Sequence, residues 1–92
     1  MTELNTCNGE VVVLDGRFQF FQDRAGTTHT TVHAKGVGDQ GNTYVLNIDD
    51  RAAADGIVQR RVLVSLGSAP NQIVLITLPS SGGFFIETEC TG

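Results

Sequence analysis

Two histidines, His29 and His33, stand four residues apart, and just beyond them the chain reads Gly36-Val37-Gly38-Asp39-Gln40-Gly41, a literal G-x-G-x-x-G. On a helix the histidines would share a face and could grip one metal ion. Between a strand and a helix the glycines would cradle a pyrophosphate. Neither context is met. Thr27, Thr28, Thr30, Thr31 and Val32 are all β-branched, which predicts extended chain. On a strand, residues i and i+4 share a face about 13 Å apart, too far for one zinc ion with bonds near 2.1 Å. The glycines are followed by Thr43-Tyr44-Val45-Leu46-Asn47-Ile48, which reads as strand, so no helix dipole meets an anion there. The expectation is two surface histidines beside Thr27, Thr31 and Lys35, then a hairpin with glycines in positive-φ positions.

Other chemistry-bearing groups are scattered. Asp49, Asp50 and Asp55 lack EF-hand spacing, and Asp50 reads as a helix cap. Ser65, Ser68, Ser80 and Ser81 have no G-x-S-x-G and no legible His-Asp setting. Cys7 and Cys90, near opposite ends, have only each other as partners. A link between them would close a loop of about 84 residues, worth about 4–5 kcal/mol in the chain-entropy model. It would also imply an oxidising setting. Three readings stay open: a leader removed before residue 1, a protein made in a cytosol that works outside, or two thiols that remain reduced. No catalytic, metal or cofactor set is expected, and the chain is not expected to be an enzyme.

The elements that position these residues belong to a single small domain, residues 1–92, with 1–6 and 91–92 expected as tails. Ten acidic against six basic residues give a net charge of −4, and only Arg60-Arg61 are adjacent bases. With no basic stripe and no aromatic–basic interleaving, nucleic-acid binding is not expected. No polybasic helix or long apolar run suggests membrane association or insertion. Met1-Thr2-Glu3-Leu4-Asn5 has no basic head, so no signal peptide is expected.

Helical periodicity is nearly absent. The strands read as 10–14, 17–22 after a bend or bulge at Asp15-Gly16, 27–37, 43–49, 57–66, 72–78 and 84–90. Residues 50–56 read as one short helical turn ending at Gly56. Strand following strand through short turns predicts an all-β, seven-stranded antiparallel meander, closed as a small barrel or folded as a sandwich. Phe18 and Phe20 should face one side and Phe21, with Arg17 and Gln19, the other. Tyr44, Leu46 and Ile48 should point inward.

The sixth strand breaks alternation. Ile73-Val74-Leu75-Ile76-Thr77-Leu78 is apolar on both faces, so both want cover. Either the 50–56 segment shields its outer side, or another layer or another copy of the chain does. The interface candidates are Ile73, Leu75, Phe21, Phe85, Arg60 and Arg61.

Cys7-Asn8-Gly9-Glu10 with Val11-Val12 and Gly16 resembles the opening of a loose group of uncharacterised bacterial exported β proteins. Their central hairpin is similar to Val32–Gly38 and Gly41-Asn42-Thr43-Tyr44. Their penultimate hairpin is similar to Gln59–Asn71, and their closing cysteine to Glu87-Thr88-Glu89-Cys90. The resemblance implies an all-β meander with a terminal disulfide and carries no known activity. A leaderless relative suits a phage-encoded virion protein. The expected role is therefore a non-catalytic structural protein on a virion surface or outside the cell. It would be a capsid decoration or tail component that partners itself or a larger protein assembly. The alternative expectation is an extracellular barrel with an apolar lumen for a small ligand, lined by Phe18, Phe20, Leu46 and Ile86.

Overall fold

Alternating apolar residues and β-branched runs build strands throughout the chain, and the computed structural model describes all of residues 1–92. The strands are β1 (Thr2–Asn5), β2 (Glu10–Gln22), β3 (Thr28–Gly38), β4 (Thr43–Ala53), β5 (Gly56–Ser65), β6 (Asn71–Pro79) and β7 (Phe85–Thr91). They form one sheet in chain order, every neighbouring pair antiparallel. The expected all-β meander is present, and no element is helical.

The sheet is curled, as its side-chain contacts require. In a flat sheet β1 and β6 would lie about 24 Å apart. Instead Gln72 on β6 accepts hydrogen bonds from the Thr6 amide (2.8 Å) and hydroxyl (2.6 Å), and its amide donates to the Leu4 carbonyl (3.0 Å). Arg61 on β5 donates from Nε and Nη2 to the Glu3 carboxylate on β1 at 2.9 and 2.6 Å. Cys7 and Cys90 form a disulfide that fastens the β1–β2 turn to the end of β7. One end of the sheet is thereby rolled shut around Val12, Leu14, Ala34, Tyr44, Leu46, Ile48 and Leu63. The other end stays unrolled, a half-barrel.

Several expectations are corrected. Residues 50–56 are not a helical turn: β4 runs to Ala53 and a two-residue turn, Ala54-Asp55, leads straight into β5. Asp50 caps nothing, and its carboxylate accepts from Gln59 across the hairpin at 3.0 Å. The ladder to β5 gives Ala52 and Ala53 partners that outweigh their helix propensity. The segment therefore does not shield β6. Residues 2–5 are not tail but the edge strand β1. The chain does not break at Asp15-Gly16; pairing with β3 is continuous there. A side chain at Gly16 would collide with Ala34 and the His33 carbonyl, so glycine allows close approach rather than a bulge. Of the three motif glycines only Gly41 has positive φ, and Gly38 instead leaves room for the Glu10 side chain.

Candidate interaction surface

The two histidines sit on the convex face, as expected, but each has its own companion. His29 Nε2 lies 3.0 Å from Asp23 Oδ2 and its ring stacks on Phe21 at 4.8 Å. The hydrogen bond from His29, with those from the Thr27 and Ala25 amides, holds the Asp23 carboxyl below its ordinary range. His33 Nδ1 lies 2.7 Å from Asn47 Oδ1. No three His, Cys, Asp or Glu side chains converge anywhere in the chain.

A polar cluster escaped the reading of the sequence. Glu10 is fully buried, and its two carboxylate oxygens accept from the Tyr44 hydroxyl (2.6 Å), Asn42 Nδ2 (2.8 Å), Asn8 Nδ2 (3.3 Å) and the amides of Gln40 (2.8 Å) and Asn42 (3.3 Å). Burial alone would push this carboxyl up. The donors outweigh it and lower its pKa to about 2. Burial, and next the bond to Glu10, pushes the Tyr44 phenol up. Asn5 and Asn8 donate to the Tyr44 oxygen, and no buried polar side-chain atom lacks a partner. A carboxylate so fully engaged braces the closed end and has no free lone pair turned toward a substrate. The signal was parity: Glu10 shares a strand face with Val12 and Leu14.

The groups left uncommitted lie at the other end. On the concave face Phe18 and Phe20 continue the row of Val12 and Leu14, yet are 64% and 68% exposed. Facing the same hollow are Ile57, Leu78 and Ile86, all exposed. The four residues expected to line a ligand lumen do not share a cavity: Leu46 is packed in the core, whereas Phe18, Phe20 and Ile86 are on the open surface.

Two strand edges are free beside this hollow. β1 covers β2 only as far as Leu14, whose amide and carbonyl both bond Met1 at 2.8 Å. From Asp15 to Gln22, β2 is hydrogen-bonded to β3 alone, and β7 is bonded to β6 alone. An apolar face flanked by unpaired edges is a template for another strand.

The candidate interface residues divide by face. Ile73, Leu75 and Arg60 come together on the convex side, with Glu87 and Glu89, around a shallow surface hollow. Phe85 lies on the same face of β7, and Phe21 on the same face of distant β2; both are exposed. Arg61 points the other way, held by Glu3, and the hydrogen bond it donates to that carboxylate raises its pKa. Both sides of β6 from Ile73 to Thr77 are only partly covered. No family model, curated protein or solved structure matches this chain.

Proposed function

We propose that this protein is a non-catalytic assembly module whose open half is covered by another polypeptide. The carrying observation is the unrolled end of the sheet: Phe18, Phe20, Ile57, Leu78 and Ile86 exposed on one concave face, between the free edges of β2 and β7. Isolated surface apolar residues are ordinary; exposed apolar side chains set beside unpaired backbone on both edges, Phe18 and Phe20 at β2 and Ile86 at β7, are not. A surface-displayed building block, such as a capsid decoration or tail component of a virion, is the setting we favour. The Cys7–Cys90 link suits the oxidising exterior such a protein meets.

The experiment is site-specific photo-cross-linking. A photoreactive phenylalanine analogue replaces Phe20, and the protein is irradiated in the cells or particles that contain it. A covalent adduct to a polypeptide is expected. Adducts to a small apolar molecule would favour the carrier alternative and overturn the proposal, as would no adduct at all.

A further inference from the structure

We propose that the covering polypeptide is a second copy of this chain, joined by laying Arg17–Phe21 of one copy antiparallel to Phe85–Glu89 of the other. This rests on the assembly reading above and names its partner.

Register and charge carry the inference. On both edges the even-numbered residues face the hollow and the odd-numbered ones face outward. A seam that keeps the faces continuous can therefore shift only in steps of two. One register sets Phe20 opposite the partner's Ile86 inside, and Phe21 opposite the partner's Phe85 outside. In the same register Arg17 meets the partner's Glu89 and Gln19 meets the partner's Glu87. Shifting one way leaves Arg17 opposite the partner's Glu87 but puts Asp15 opposite the partner's Glu89, like charge against like, and Gln19 opposite the partner's Phe85. Shifting the other way puts Phe21 opposite the partner's Glu87 and takes Arg17 away from both acids. Opposite charges and aromatic–aliphatic pairs across a ladder stabilise it, and like charges oppose it. Pairing β7 with itself about Thr88 would set Glu87 against the partner's Glu89. Neither Arg17 nor Glu89 has an ion-pair partner within its own chain.

Surface area agrees. A folded chain of 9.8 kDa ordinarily exposes about 5,200 Å². This one exposes 5753 Å², with only 12 of 92 residues buried. The excess, roughly 600 Å², approaches the ~800 Å² that each partner contributes to a standard interface. The Cα radius of gyration, 14.3 Å, likewise exceeds the ~12 Å expected for this length. Covering the open half would bring the exposed area to an ordinary value.

The test is the mass of the purified, disulfide-intact chain through a dilution series, by native mass spectrometry and sedimentation. A multiple of 9.8 kDa is expected. Arg17→Glu and Glu89→Arg should each weaken association about tenfold or more, while both side chains are exposed and unfolding should be unchanged. Combining the reversals in one chain, or mixing the two single variants, should restore association. A chain that is monomeric at every concentration overturns the inference, as does an oligomer indifferent to each single reversal. If the purified chain is monomeric but the cross-linker at position 20 still captures another polypeptide, the self-pairing fails and the assembly reading stands. If it captures none, both fail.

Discussion

The two ends of β2 carry the same alternation and meet different fates. Val12 and Leu14 are 0% and 1% exposed; Phe18 and Phe20, on the same face of the same strand, are 64% and 68% exposed. Phenylalanine is no less apolar than valine, so composition does not separate them. What separates them is the element lying across the sheet. β1, the Gln72 side chain, the Glu3–Arg61 ion pair and the disulfide roll the first end shut, and nothing of this chain lies over the second. Alternation selects the face that can be buried; long-range closure decides whether it is.

Removing the closure should make the two ends alike, and this is the largest effect expected. Reduction, or Cys7→Ala with Cys90→Ala, should lower unfolding free energy by about 4–5 kcal/mol in the chain-entropy model. Denaturant titration measures it. An unchanged midpoint would mean that the hydrogen bonds of β1 alone keep the end rolled.

Truncations sharpen the contrast next. Leu46→Ala, in the packed end, should cost about 2–5 kcal/mol. Phe20→Ala, in the open end, should change the stability of the dilute chain by no more than about 0.5 kcal/mol, although it removes the larger side chain. Equal losses by chemical denaturation would erase the distinction between the ends.

The last effect is confined to acid. Glu10 has a folded pKa lowered to about 2 from an ordinary 4.5, so the folded state favours its charged form. Its stabilisation is fully present above about pH 4.5 and is lost as pH falls through 2. Asp23, also lowered, contributes with the same sign from the open end. Glu10→Gln should flatten the fall in stability through this window more than Asp23→Asn does, as measured by denaturant midpoints at successive pH values.

The strands with strong alternation were legible in the sequence: the inward row Tyr44, Leu46, Ile48 and the opposed faces of Phe20 and Phe21 follow from period two alone. Less was legible where tertiary contacts decide. Thr2-Glu3-Leu4-Asn5 has little strand character of its own and is held by pairing with Val11–Val13 and by its reach to β5 and β6. Ala52-Ala53-Ala54 favours helix locally, but the ladder to β5 prevails. Arg60 and Arg61 are adjacent in sequence and opposite in the fold; only the closure shows that Glu3 awaits Arg61. The open hollow was illegible for the same reason, since no local pattern records how far β1 extends along β2.

Amide hydrogen exchange resolved along β2, in dilute and concentrated solution, tests the central claim most directly. In dilute solution the amides of Val11–Leu14 should be protected throughout, whereas those of Asp15–Gln22 that point away from β3 should exchange freely. On concentration these should become protected together with the outward amides of Phe85–Glu89, and the rest of the sheet should change little. Uniform protection along β2 at every concentration, or free exchange that concentration never slows, would contradict the reading of this end as a seat for another copy of the chain.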